Sequence, residues 1–402
     1  MATDTSLRGN EPPRAKKAAR ASWINDPWIR GIIYQVLVAV ALIAFVYWIV
    51  GNTSENLRRA NISSGFGFLG GRAGFDVSQS LIDYSADSTF GRALMVGLFN
   101  TLLVAVIGIV TATFLGFLIG VGRLSRNWLI AKICTVYVEI FRNLPPLLVI
   151  FFWYLGVLSV LPGPRDSLDL PFETFLNNRG FFMPKPVWGE GSWLIPLAFV
   201  VAIALSWFVA RKAYRRQMAT GQRFPVLRTA LALIVGLPLL AYFLAGRPLT
   251  FDVPVLGAFN LQGGVQVAPE FLSLYLALSF YTASFIAEIV RAGILGVNKG
   301  QTEASYSLGL QPGLTLRLVV VPQALRIIIP PLTSQYLNLT KNSSLAVFIG
   351  YADLVQIGQT VMNQTGQAIE VVAIWMIIYL GLSLATSAFM NWYNARMALV
   401  ER

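Results

Sequence analysis

The sequence predicts an all-α integral membrane protein of about eight transmembrane helices, on three observations. Of its 402 residues, 55% are apolar and only 12% charged, about half the ~25% charge of a soluble chain. The apolar residues gather into runs of about 20, the length an α-helix needs to cross ~30 Å of hydrocarbon at ~1.5 Å per residue. Lys and Arg outnumber Asp and Glu by 31 to 19 and concentrate in alternate loops, as the positive-inside bias of membrane proteins requires. The chain has no His and one Cys, Cys134. That excludes an internal disulfide, a His-bound zinc and a Ser-His-Asp triad, and no metal or catalytic site is expected. A net charge of +12 on so apolar a chain reads as membrane orientation. Nucleic-acid binding would need a clustered basic face.

In chain order, residues 1–30 form a basic tail suited to setting topology and touching anionic lipid. Gly31–Val50 is charge-free and ends in the aromatic pair Tyr47 and Trp48. It lies too far from the start, and lacks a following small-residue cleavage pattern, to be a signal peptide, so an uncleaved anchor is expected. The loop over 51–92 is rich in Gly, Ser and Asn. Asn52 and Asn61 begin N-x-Ser/Thr triplets, but nothing else points to a glycosylating secretory route. Further spans are expected at Ala93–Val121, Ala131–Leu161, Trp193–Ala210, Thr229–Gly246, Phe271–Val290 and Val371–Trp392. An eighth, about Ile328–Leu354, is interrupted by Pro330, Pro331 and the polar run Lys341-Asn342-Ser343-Ser344. Eight spans put both termini on one side. With the termini in the cytoplasm, 21 Lys and Arg fall inside and 8 outside, Arg142 and Lys341 lying within spans.

Two short spans, separated by the basic loop Arg211, Lys212, Arg215 and Arg216, lie between Pro162 and Ala268. Most site-like features fall on either side of this block. Residues 162–267 therefore read as an insertion with two extra helices into a bundle made of 93–161 and 268–393. The first span with its outer loop (31–92) precedes that bundle, and a short cytoplasmic tail (394–402) follows it.

Several features carry chemistry. Gly108, Ala112, Gly116 and Gly120 recur every four residues and make one smooth helical strip, for packing within the bundle or against a second subunit. Glu139 with Arg142 and Glu288 with Arg291 are spaced i, i+3 and share a helix face. Each pair is either an interface-level salt bridge or part of a polar gate, since a lone charge at mid-bilayer costs ~3 kcal/mol. Ser279, Tyr281, Thr282 and Ser284 crowd one span, either satisfying helix carbonyls or lining a polar route. The interrupted span with Lys341-Asn342 fits helices that break to offer backbone groups to a solute.

The loop Gln301–Pro322 is the most informative stretch. Thr302 can cap a short helix with Glu303 in its first turn, Gly309 can stop it, and Pro312-Gly313 marks a turn. An amphipathic run through Leu314, Leu316, Val319 and Val320 then reaches Pro322. A short helix with the small residues Ala304 and Ser305, held between two spans, is suited to docking into a groove.

Glu303-Ala304-Ser305, three residues, Gly309, nine residues, Val319, two residues and Pro322 resemble the EAA loop of binding-protein-dependent ABC importer permeases. Ser305 and Val319 depart from the usual Ala and Ile but keep their size. Asn100-Thr101-Leu102, Glu139-Ile-Phe-Arg142-Asn-Leu-Pro145, Ala287-Glu288-Ile-Val-Arg291-Ala-Gly293-Ile294 and Lys341-Asn342-Ser343-Ser344-Leu345 are similar to segments of the polar amino-acid branch. Ala73-Gly-Phe-Asp-Val, Tyr84-Ser-Ala-Asp-Ser-Thr-Phe-Gly91 and the long insertion most resemble the larger permease of general L-amino-acid importers. The resemblance implies a type I importer permease core with an inserted helix pair, coupled to an ATPase through 292–325. It also implies the partners. These are a related but different second permease beside this chain in the bacterial inner membrane, a dimer of ATP-binding subunits beneath them that hold ATP and Mg, and a periplasmic amino-acid-binding protein. The chain itself has no Gly-x-x-x-x-Gly-Lys-Ser/Thr loop, so no cofactor is expected on it. Substrate-pathway candidates are Ser279, Thr282, Ser284, Glu288, Lys341 and Asn342. The rival reading is an ion-coupled carrier using Glu139 or Glu288. A membrane enzyme is disfavoured by the missing His and the absence of an acidic cluster.

Overall fold

The computed structural model describes residues 27–59, 64–222 and 224–397. Most of the expected N-terminal tail (residues 1–26), the Asn61 triplet, Arg223 and residues 398–402 lie outside them. The chain divides into two units, residues up to Gly65 and those from Phe66 on. In the first, α1 (Pro27–Arg59) exposes apolar side chains all round from Ile32 to Val50, as a helix solvated by lipid does. Its polar end carries Glu55, paired with Arg58 and Arg59 at 3.2 and 3.1 Å.

The second unit is built on α2 (Phe90–Gly122), which starts where Thr89 Oγ1 accepts the Arg92 N–H at 3.2 Å. A span over Ala131–Leu161 is not straight. After α3 (Trp128–Asn143) the chain bends by 111° before α4 (Pro146–Phe151), which continues as a π-helical turn over Phe152–Leu158. The cause is local. Leu144, preceding a proline, is extended at φ −98°, ψ 141°, and Pro145 and Pro146 lack the N–H groups a continuous helix would use. Among the described residues seven helices are long and apolar enough to cross a membrane, or eight with the bent pair.

Among the described residues eight short strands appear that hydropathy does not foresee: β1 (Leu168–Leu170), β2 (Thr174–Asn177), β3 (Gly180–Met183), β4 (Lys185–Trp188), β5 (Leu249–Asp252), β6 (Val255–Leu256), β7 (Leu261–Gln262) and β8 (Val265–Val267). They flank the hairpin of α5 (Leu194–Thr220) and α6 (Val226–Leu244), which pack on each other. One antiparallel sheet runs β1-β2-β3-β8, with Phe181 opposite Val267, so the chain returns to the point at which it left.

The core forms where α7 (Pro269–Leu295) lies along α2 and α10 (Val321–Asn342). Leu274, Leu278, Ile286 and Val290 meet Val104, Ala112, Ile328 and Leu339 there. The glycine strip is filled within the chain. Gly108 faces Leu339, Gly116 faces Ile286, and Gly120 faces Ala287 and Val290. α10 is unbroken through Pro330 and Pro331, contrary to expectation. It ends at Lys341-Asn342, where a 3-10 stretch over Ser343–Ile349 takes over. The break therefore lies at the polar run and not at the prolines.

α11 (Leu354–Thr365) and α12 (Ala368–Met397) complete the bundle, Leu354, Ile357 and Val371 packing on Ala93, Leu94 and Val96. A polar seam ties them to α2. Asn100 Nδ2 donates to Gln79 O and Ala352 O, both at 2.9 Å, and the Leu354 N–H reaches Thr101 Oγ1 at 3.1 Å. Asp353 Oδ1 caps α11 by accepting the Gln356 N–H at 2.8 Å, while its buried Oδ2 has no partner. Burial pushes this carboxyl up from 3.8 to about 7. Between those values the folded chain holds a proton that the unfolded chain releases. The site therefore favours folding in acid, and that contribution is lost as pH rises through about 7. Asp353→Asn keeps an acceptor for the cap without a charge. It should raise the melting temperature of the detergent-purified protein at pH ~8, by the equivalent of a few kcal/mol, and change little at pH ~3.5, where the unfolded chain also keeps the proton. Equal melting temperatures at the higher pH would contradict the buried charge.

Candidate functional site

The structure brings the expected site residues together at three places along α7 and α10. The first is the link between those helices. α8 (Lys299–Ser307) starts earlier than expected: Asn298, not Thr302, is the cap, its Oδ1 accepting the Gly300 N–H at 2.8 Å. Asn298 wins because its short side chain can reach a first-turn donor, which leaves Thr302 and Glu303 inside the helix. The stop at Gly309 holds. Its φ of +76°, with Leu310 N bonded to Ser305 O (3.1 Å) and Gly309 N to Tyr306 O (2.9 Å), makes a Schellman ending. Pro312-Gly313 is not a turn. It opens α9 (Pro312–Thr315), which runs through a π-helical turn over Leu316–Val320 into α10, because proline is accepted at a first helical position.

Within this link Ser305 is buried, its Oγ on Gln301 O at 2.7 Å, and Gln323 Nε2 on Gln301 Oε1 at 3.2 Å ties α8 to α10. Glu303 and Ala304 are exposed, and Tyr306 and Leu308 are 50% and 81% exposed. Val319 and Pro322 sit at the root, in the π-helical turn and the first turn of α10. The helix thus presents an acidic, small and apolar face outward, uncovered by any of the described residues.

The second place is an ion cluster near the same end of the bundle. Glu288 binds Arg291 (2.6 Å) and also Arg123, from the end of α2. Arg123 is only 11% exposed and lies 3.9 Å from Glu139. The sequence pairing of Glu139 with Arg142 fails: Arg142 instead stacks on Phe285 at 5.7 Å. Arg123 outcompetes it because the end of α2 brings a guanidinium between two carboxylates on different helices. Glu288, one of the two carboxylates an ion-coupled carrier would use, is thus already bound by two arginines.

The third is a cavity of about 260 Å³ between α4, α7 and α10, lined by Pro146, Tyr281, Thr282, Phe285, Gln335, Asn338 and Asn342. Thr282 and Asn342 were expected there. Ser279 and Ser284 are not in it; both are buried, and Ser284 Oγ donates to Tyr281 O at 2.6 Å. Lys341 is exposed outside it. Gln335 and Asn338 escaped the sequence reading, though Gln335, Asn338 and Asn342 stand at i, i+3 and i+7, one polar stripe on a helix. Amides turned into a cavity inside an apolar bundle can bind a polar solute by several weak hydrogen bonds.

Comparison with known proteins places this geometry in context. The family described as "Binding-protein-dependent transport system inner membrane component" matches residues 112–399. The chain is 67% identical over 381 residues to the General L-amino acid transport system permease protein AapQ of Rhizobium johnstonii, covering 95% of each chain. It is 53% identical to the Putative amino-acid ABC transporter permease protein YhdX of Escherichia coli, over 94% of this chain and 96% of that one. It is 42% identical to the Glutamate/glutamine/aspartate/asparagine transport system permease protein BztB of Rhodobacter capsulatus, over 98% and 99%.

Proposed function

The chain belongs to the family of binding-protein-dependent transport system inner membrane components, and from that premise we propose that it carries L-amino acids inward across the bacterial inner membrane by alternating access. As a permease of an ATP-driven importer it is not an enzyme; nucleotide is handled by a separate subunit. Both termini and α8 face the cytoplasm in this reading, which the 21-to-8 charge bias supports. Its partners are a second, related permease, two ATP-binding subunits holding ATP and Mg, and a periplasmic binding protein that delivers the amino acid. Residues 162–267 form the insertion on the core, a reading supported by the pairing of β3 with β8.

The observation that carries the proposal is mechanical. α8 is exposed, locked at its far end by Gly309, and joined within a few residues to both α7 and α9–α10, whose helices wall the polar cavity. A push on Glu303, Ala304, Leu308 and their neighbours is transmitted to two pathway walls at once. Nucleotide favours one packing of those helices and its loss favours the other. Glu288 with Arg123 and Arg291 forms the gate at the α8 end, and Thr282, Gln335, Asn338 and Asn342 touch the solute in passage.

Reconstitution with the partner subunits in proteoliposomes tests this. ATP-driven uptake of radiolabelled L-glutamine is expected, and Asn338→Ala should lower it by about tenfold in an importer that still assembles. Uptake that needs no nucleotide, or a purified chain that never retains an ATPase, would refute the reading.

A further inference from the structure

At the end of the bundle opposite α8, a cavity of about 690 Å³ opens between the four-stranded sheet and the first turn of α7. This volume is within the ~300–1,000 Å³ of small-molecule sites. Arg179, on the turn between β2 and β3, lines one side, and Glu270 on α7 lines the other. The turn is held firmly. Gln266 Nε2 donates to Arg179 O at 2.9 Å, and the Arg179 N–H donates to Oδ1 of the buried Asn177 at 2.8 Å. Glu270 is oriented by the Tyr154 hydroxyl, 3.2 Å from Oε1, which leaves Oε2 free for a ligand. In the same wall Asn178 Oδ1 is buried without a hydrogen-bond partner. Tyr154 belongs to the π-helical turn, a distortion that recurs at functional sites.

Arg179 and Glu270 carry opposite charges into one cavity, yet among the described residues neither makes a salt bridge. A ligand bearing both signs would satisfy both. The cavity is also aligned with the pathway. Tyr281 lies eleven residues after Glu270, about three helical turns and 20° round α7, roughly 16 Å along it. Glu270 thus stands over the face that lines the inner polar cavity.

We propose that this cavity is an entry station for an amino-acid zwitterion, with Glu270 taking the α-ammonium and Arg179 the α-carboxylate. The proposal rests on the reading that the cargo is amino acids and that this end faces the periplasm. It gives the sheet a task, since β2, β3 and β8 hold the half that reads the carboxylate. Both charged groups read only what every α-amino acid shares, so the station accepts side chains broadly. Charge-assisted bonds formed in an open cavity are strong enough to hold a solute briefly and weak enough to release it.

The test uses the assembled importer in nanodiscs, with equilibrium binding of radiolabelled L-glutamine and of L-glutamine α-amide, which lacks the carboxylate. Co-purification of all subunits is checked for every variant. Arg179→Gln should weaken L-glutamine binding about tenfold and leave the α-amide unchanged, whereas Glu270→Gln should weaken both about tenfold. Unchanged L-glutamine binding in both variants overturns the station. So does a loss confined to capture of the loaded binding protein, which would make the cavity a receptor for that protein. If the unaltered importer binds and transports no amino acid, it is the cargo assignment that fails, a different result from either of these.

Discussion

Glu303→Lys is expected to abolish ATP-driven uptake, by about a hundredfold or more, while the protein still inserts and melts at its usual temperature. The side chain is exposed on α8, and surface substitutions of this kind usually change stability by under ~0.5 kcal/mol. Its effect must then arise at a contact outside the chain, where reversing a charge in a buried pair costs ~2–5 kcal/mol. Gly309→Leu should reach the same end by another route. No neighbour crowds Gly309, but its φ of +76° is a backbone state that a leucine adopts only under strain. Loss of the Schellman ending at ~1–2 kcal/mol frees the last turn of α8, with Tyr306 and Leu308 on it. Co-purification of the ATPase and initial uptake rates measure both effects. Normal uptake by the two variants together would remove α8 from the coupling path.

Gly120→Val, or Gly116→Val, is expected to prevent the bundle from forming at all. A Cβ at Gly116 would lie 2.5 Å from Ile286 Cγ2 and 3.0 Å from Ala283 O. One at Gly120 would lie 2.6 Å from Ala287 O and 2.8 Å from Val290 Cβ. Backbone carbonyls cannot step aside, so α2 and α7 must separate along their whole contact. Overpacking on this scale costs ~3 kcal/mol or more, at the upper end of single-residue effects. Gly236 in α6 is the control, since nothing lies within 4 Å of its missing side chain. Gly236→Ala should be tolerated and gain up to ~1 kcal/mol of helix propensity. Size-exclusion profiles in mild detergent check the contrast. A monodisperse peak from Gly120→Val at wild-type yield would show that the α2–α7 contact is looser than described.

The two predictions differ in how far the sequence alone could carry them. Ser305 and Gly309 were legible because their message is local: a small-residue helix and a left-handed stop act within one turn, whereas the start of α8 lies at Asn298 and leaves Glu303 inside the helix. The exposure of Leu308 was not legible, since it depends on which other described residues reach α8. The four-residue repeat through Gly108, Ala112, Gly116 and Gly120 signalled a close approach but could not say of what; α7 and α10 supply the answer. Thr282 and Asn342 were found by polarity. Gln335 and Asn338 share an i, i+3, i+7 stripe with Asn342, but that stripe becomes a cavity wall only because α10 runs unbroken through Pro330 and Pro331. The glutamate pairs show the opposite failure. Spacing joined Glu288 to Arg291 correctly, but it also joined Glu139 to Arg142, where a guanidinium 165 residues from Glu288 stands nearer.

Hydropathy and charge bias by themselves determined that this chain lives in a bilayer, roughly where it crosses, and which loops are basic, because each of those properties is summed over neighbours along the backbone. Even the 111° bend is written at Leu144-Pro145-Pro146. Only the packed structure decided that Arg123 serves Glu288, that Asp353 is buried against α2, and that a sheet closes across the α5–α6 hairpin to bring Arg179 and Glu270 to one cavity. These depend on which faces of distant segments meet, and the energy of such a meeting is absent from any stretch of chain taken alone.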